Sequence, residues 1–280
     1  MKIPYGKLTL DHVVVNFSFG IGSFCAAERM CQEFGAENVI LLFADVKSED
    51  EDTYKWGREA AKYLGANLIE IAEGRTPWQL FEDREFIGNS RVDICSQVLK
   101  RNFVGKWMKS VFNQSRTLVV FGIHWSEYDR FYRVDRKTGE KKGIWPRMIA
   151  KGWEHIRAPM SEKPLVGYEE MKDRVAKAGL WEQRLYQYGF PHANCGGECV
   201  KQGQKGWRLL YEKMPERFIK RMEWENMMRE KCGDIAILKE MVNGKSIPLP
   251  LVELKRRIDN ECLEEDDSGF GGCSCFAGDE

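Results

Sequence analysis

The chain has 280 residues, 43% hydrophobic and 31% charged, enough for one large α/β domain, or a domain with an appendage, around a real core. Its 43 basic residues balance 43 acidic ones, so no global field draws in nucleic acid and any such contact has to be local. No apolar run is long enough to span a bilayer and no secretory signal pattern opens the chain, so a cytoplasmic protein with no membrane partner is expected.

Residues 12–17 form an apolar run that reads as a buried parallel strand. Ser18, Phe19, Gly20, Ile21, Gly22 and Ser23 follow as a tight turn, and residues 24–31 carry apolar side chains at helical spacing, with Gly35 as a stop signal. Small residues let backbone N–H groups approach an oxyanion, and the helix end adds partial positive charge. Taken alone, the same turn also serves as an ordinary strand-to-helix connection. Residues 38–45 read as a second strand ending on Asp45, and the acidic run 48–54 caps a helix through about Leu64. Residues 66–71 and 117–122 read as third and fourth strands, with helical segments between.

After the fourth strand comes the stretch 123–130, at the sheet edge that lines the ligand crevice in open parallel sheets. His124 and Arg130 are candidate substrate contacts there, with a structural hydrogen-bonding role as the competing reading of His124. Residues 133–142 read as a basic hairpin, either a solvated turn or a grip on a phosphate-bearing substrate. Composition changes near residues 159–165, which divides the chain into an α/β domain, 1–165, and a helical C-terminal region, 166–280. Within the second region, a helix over 168–179 and a segment over 181–188 lead to a cysteine loop. Helices are expected over 204–241 and 249–258, and an acidic tail runs into Gly271 and Gly272.

Nine cysteines are many for such a chain, and their positions sort them. Cys25 and Cys31 belong to the first helix as small core residues. Cys232 and Cys262 have no close partner. Cys195 with Cys199, and Cys273 with Cys275, form two glycine-flanked pairs that can close around one soft metal or an iron–sulfur cluster. Otherwise they are loop cysteines or a redox pair. Residue types do not choose between a [4Fe–4S] cluster and zinc.

Three segments in order carry a resemblance. Ser18-Phe19-Gly20-Ile21 resembles the phosphate loop of the PAPS reductase and PP-loop ATP pyrophosphatase superfamily, usually S-G-G-x-D-S. Asp45, followed by Asp52-Thr53-Tyr54, resembles the reductases' D-T-G-x-x-x-x-E-T-Y. Cys95-Ser96 with Lys100 resembles their C-C-x-x-x-K. The resemblance covers roughly the first two-thirds of the chain and continues more weakly to Cys199. It implies a parallel, doubly wound five-stranded α/β sheet, the HUP-like nucleotide-binding fold, with a helical, cysteine-containing C-terminal extension. It also implies an enzyme that takes ATP or PAPS. Ser18, Phe19, Gly20, Ile21, Gly22, Ser23, Asp45, Asp52, Lys100, His124 and Arg130 would bind the nucleotide, and Cys95, Lys100 and Asp45 would carry the chemistry, unless Asp45 merely caps the following turn and Cys95 is a small pocket-lining residue.

Phe19 stands where the family has its first glycine, and Gly22 where ATP-cleaving members have an acidic residue that helps hold magnesium. Asp45, Glu49 and Asp52 are the substitute ligands available. The reductases' terminal E-C-G-L-H is absent. Three readings follow. In the first, ATP adenylates an acceptor such as a nucleobase or nucleic acid, and sulfur or an amine then displaces AMP, with a sulfur-donor protein as partner. In the second, a cysteine thiolate reduces an adenylyl sulfate such as PAPS. In the third, the chain is a non-catalytic nucleotide-binding module.

Overall fold

The computed structural model describes residues 3–6, 8–89 and 93–260. A short antiparallel hairpin, Ile3–Tyr5 with Leu8–Leu10, precedes the main sheet. The chain then runs β1 (His12–Asn16), α1 (Ile21–Phe34), β2 (Val39–Asp45), α2 (Glu51–Leu64), β3 (Asn67–Ala72) and α3 (Pro77–Arg84). A π-helical stretch, Ser96–Asn102, continues into α4 (Phe103–Val111), followed by β4 (Thr117–Phe121), α5 (Ile144–Ala150) and β5 (His155–Arg157). The C-terminal region holds α6 (Tyr168–Lys177), α7 (Gln204–Lys213), α8 (Pro215–Cys232) and α9 (Leu251–Asp259). All neighbouring strands of the main sheet are parallel, in the order β3-β2-β1-β4-β5. This is the five-stranded doubly wound α/β sheet that the sequence implies.

Side chains alternate across the sheet as its two-residue period requires. Val13, Val15, Leu41, Phe43, Leu118 and Val120 face α1, α2 and α6, where Phe24, Trp56 and Met171 close the core. Val14, Leu42, Val119 and Phe121 face α4 and α5, against Val104, Met108, Ile144 and Trp153. A further core gathers Trp78 and Phe81 of α3 with Trp207, Phe218 and Leu254 of the C-terminal helices.

The reading of helix through Met241 needs correction. α8 ends at Cys232, and Leu238–Val242 pairs with Lys245–Leu249 as an antiparallel hairpin. Its two-residue turn is Asn243-Gly244, both with positive φ (51° and 75°), the turn chemistry that favours tight hairpins over helix. Fully buried Glu225 of α8 holds both ends of that hairpin, accepting the N–H groups of Ile237 at 2.6 Å and Leu251 at 2.5 Å.

Candidate functional site

The direction of winding reverses between β1 and β4: α1 leaves β1 for one face of the sheet, while α4 and α5 cover the other. In open parallel sheets that switch point opens a crevice beyond the strand ends. The loop Phe17–Gly20 and the N-terminus of α1 form one wall of it.

Phe19 explains how this loop is built. Its φ is +59°, a backbone conformation that glycine adopts freely and phenylalanine rarely. Burial holds it there: the ring is fully buried and stacks on Phe43, centroids 3.7 Å apart and planes 8° from parallel. Gln183 reaches across from the C-terminal region and donates to the Phe19 carbonyl at 2.9 Å. Ser23 turns its hydroxyl back onto the loop, donating to the Gly20 carbonyl at 2.8 Å, and lies 3.3 Å from the Ser18 hydroxyl. The Ser23 hydroxyl therefore closes the loop rather than facing an anion, whereas the first N–H groups of α1 lack intrahelical partners by position. No acidic residue sits in that first turn to offset the helix dipole. Gly22 has its own reason: a Cβ there would come 3.0 Å from the Gly122 carbonyl, and a Cβ on Gly122 would come 2.6 Å from the Ser23 Cα. Helix α1 and the end of β4 thus meet backbone to backbone, leaving no room for the family's acidic side chain.

Four carboxylates at and after the end of β2, Asp45, Glu49, Asp50 and Asp52, are engaged. Asp45 caps the turn, accepting the Lys47 N–H at 2.7 Å and the Tyr54 hydroxyl at 2.6 Å. Glu49, buried, accepts the Cys195 N–H at 2.5 Å and lies 3.5 Å from the buried Lys100 ammonium. Asp50 has a fully buried side chain that meets Arg184 and Arg217, each at 2.7 Å, and caps α2 through the Asp52 N–H. Burial pushes the Asp50 carboxyl up, but Arg184, the Asp52 N–H and Arg217 together outweigh it and leave the pKa below the usual range. Asp52 accepts the Trp181 indole N–H and the Arg184 backbone N–H, both at 2.8 Å. This acidic run clasps the C-terminal region onto the sheet. Among the described residues, no three His, Cys, Asp or Glu side chains come together as a metal site. Asp45, Glu49 and Asp52 are thus each held by protein groups and do not converge as a set of three.

Cys95 and Lys100 lie on one helical stretch. An α-helix would turn positions five apart by roughly 140°, but the π turn pairs i with i+5 and brings the two toward one face. Lys100 points to Glu49, and Cys95 packs beside Val46, Leu80 and Leu99. Arg101, next in sequence, is held by Asp93 through two bonds of 2.8 and 3.0 Å.

Cys195, Gly196 and Gly197 all have positive φ and form a left-handed turn against the loop after β2. Arg217 donates to the Gly196 carbonyl at 2.7 Å and Gln202 to that of Gly197 at 2.7 Å. Cys195 and Cys199 flank this turn; Cys262, Cys273 and Cys275 lie outside the described residues. His124 is tied on both sides, Nε2 to the Val166 carbonyl at 2.9 Å and Nδ1 to the Ser126 hydroxyl at 2.7 Å. A carbonyl partner requires Nε2 to carry the proton, which fixes a structural tautomer. Arg130 pairs with Glu127 at 2.6 Å. The basic hairpin forms with Arg133–Val134 against Lys141–Lys142, and Asp135 takes Lys142 at 3.1 Å.

On the opposite face of β1 from α1 lies a cavity of about 220 Å³ that sequence reasoning did not anticipate. Asn16 and Phe121, at the ends of β1 and β4, form its floor, and α4 and α5 its walls. Its residues are scattered over four elements, so nothing local in the sequence marks it.

No family model matches the sequence, and no curated protein does. Among solved structures, a phosphoadenylyl-sulfate (PAPS) reductase from Candida auris, solved as a phosphate complex, aligns at 13% identity and a TM-score of 0.42. The alignment covers 64% of this chain and 78% of that one. No helix among the described residues is long and apolar enough to cross a membrane.

Proposed function

We propose that this protein is an adenine nucleotide-binding enzyme that seats the nucleotide's phosphates on the Ser18–Ser23 turn at the N-terminus of α1. The observation that carries this reading is the loop itself. A left-handed Phe19, held by its stack on Phe43 and by Gln183, presents the first N–H groups of α1 at the topological switch point. The chemistry favoured is adenylation of a second substrate: an acceptor oxygen attacks the α-phosphorus, pyrophosphate leaves, and a sulfur or nitrogen nucleophile then displaces AMP. Backbone N–H groups at the turn stabilise the charge that develops on the leaving pyrophosphate. A separate cavity across β1 supports a two-substrate reaction.

Reduction of an adenylyl sulfate is the second reading, favoured by the engagement of Asp45, Glu49 and Asp52 with protein groups, since it asks for no magnesium. Cys195 and Cys199, with Cys273 and Cys275, are the ligands proposed for a [4Fe–4S] cluster or zinc, which would carry or orient sulfur.

Titration calorimetry with ATP and with PAPS tests the reading, using Gly20→Val as the probe. Gly20 is extended (φ −108°, ψ 163°), a conformation valine accepts, and a Cβ there meets the Ser18 hydroxyl at 3.6 Å and that of Tyr186 at 3.8 Å. The fold should survive while the added methyls cover the turn, so affinity should fall at least tenfold. Wild-type affinity in this variant removes the turn from the site. Binding of PAPS without ATP selects the second reading.

A further inference from the structure

The cavity across β1 has a chemical character of its own. Its floor and walls are apolar where Phe121, Met108, Met148 and Trp153 meet, and Trp153 is almost fully buried. Its rim is cationic, formed by Arg101, Arg147 and Lys151. Arg101 is neutralised by Asp93, but Lys151 has no carboxylate partner among the described residues. Burial lowers the Lys151 pKa, and the positive charges of Arg147, Arg101 and Lys109 lower it further, with no anion opposing them. A bound anion would relieve that repulsion. Gln97 and Asn102 add two carboxamides whose side chains make no hydrogen bond among the described residues. The volume exceeds the roughly 150 Å³ that accommodates benzene and falls short of the roughly 300 Å³ of small drug sites. It suits one or two fused rings.

We infer that this cavity binds a small, flat molecule bearing an acidic group, its ring against Phe121, Met108 and Trp153 and its phosphate or carboxylate at Lys151. Calling that molecule the acceptor rests on the adenylation reading; the binding site does not.

Calorimetry with 1-naphthyl phosphate and 1-naphthoate, and with neutral 1-naphthol as control, tests the inference. At least one anion should bind once per chain, tenfold or more tighter than naphthol, and the two anions show which acid is preferred. Lys151→Met should weaken it about tenfold, the lower end for a charge-assisted contact at a partly exposed cation. Gly105 lines the cavity, and a Cβ there meets nothing within 4 Å, so the side chain of Gly105→Leu starts in open space and is placed to fill the cavity from α4. That variant should lose probe binding, keep ATP binding and melt no lower than wild type.

Failure of both anions to bind, equal binding of naphthol, or binding indifferent to Gly105→Leu would overturn the inference. So would displacement of the probe by ATP, which would make the cavity part of the nucleotide site. Probe binding with the expected variants in a protein that binds neither ATP nor PAPS would sink the nucleotide reading and leave this one standing.

Discussion

Replacing Gly57 by alanine should destabilise the protein, although an alanine in a helix interior ordinarily gains about 1 kcal/mol over glycine. Gly57 sits inside α2, where its missing side chain makes room for the Phe19 ring: a Cβ would lie 2.1 Å from that ring. The ring would have to retreat by about 1.3 Å to reach ordinary contact. Phe43, stacked 3.7 Å behind it and itself buried, blocks that retreat, and Gln183 holds the Phe19 carbonyl. Overpacking of a rigid site costs about 3 kcal/mol, the upper part of its usual range, which leaves a net loss of about 2 kcal/mol. For a chain of 280 residues the thermal midpoint should fall by about 3–4 °C. Because Phe19 belongs to the turn proposed to seat the nucleotide, that proposal has affinity for ATP or PAPS falling as well, measured below the new melting range. Gly105→Ala is the matched control, since its Cβ meets open space; it should raise the midpoint by about half as much. Scanning calorimetry reads both. A Gly57→Ala protein as stable as its Gly105→Ala counterpart would refute the account of why Phe19 tolerates a left-handed backbone.

Asp50→Asn should cost about 2 kcal/mol in urea unfolding, below the value for a fully buried pair because Arg184 and Arg217 are partly exposed. The folded-state pKa of Asp50 is depressed, so its contribution is present above the unfolded value near 4 and is lost as pH falls through the folded one. Wild type should therefore lose more stability than Asp50→Asn on acidification below about pH 4, and equal losses would count against the clasp. Glu225→Ala strands the Ile237 and Leu251 N–H groups and should cost about 2–4 kcal/mol; hydrogen exchange should show those two amides opening first, and unchanged protection would contradict their assignment. Burial, with a contribution from Glu28, pushes the Cys25 thiol up to about 12 and the Cys31 thiol up to about 11. Peptide mapping after thiol labelling at pH 8 should find both unmodified in the folded protein, and rapid labelling of either would show that the first helix opens.

Much of the architecture is legible along the chain because it is local. The apolar runs ending at Asn16, Asp45 and Phe121 announce buried parallel strands, and the Gly20–Gly22 turn before a helical pattern announces the switch-point loop. The Asn243-Gly244 hairpin was equally local, but the charged, helix-favouring residues around it masked a turn dictated by two positive-φ positions. The helix cap in the acidic run was legible, with Asp50 at the cap, but the partners of these residues were not. Asp45, Glu49 and Asp52 read as ligands for a metal or nucleotide, yet apart from Tyr54 the partners of the run (Lys100, Cys195, Arg184, Arg217 and Trp181) lie 51 to 167 residues away.

Sequence alone determined four strands of the parallel sheet, the helices that follow the first two, and the place of the turn before the first helix, because strand burial, helical spacing and turn chemistry act over a few residues. Only the tertiary structure decided that Phe19 replaces a glycine by burying its ring in the gap at Gly57, that Gly22 is small because Gly122 approaches it, and that a cation-rimmed cavity opens beside Asn16. Those outcomes depend on which side chains meet across the sheet. Packing and charge neutralisation are properties of such encounters, and no single stretch of chain contains both partners.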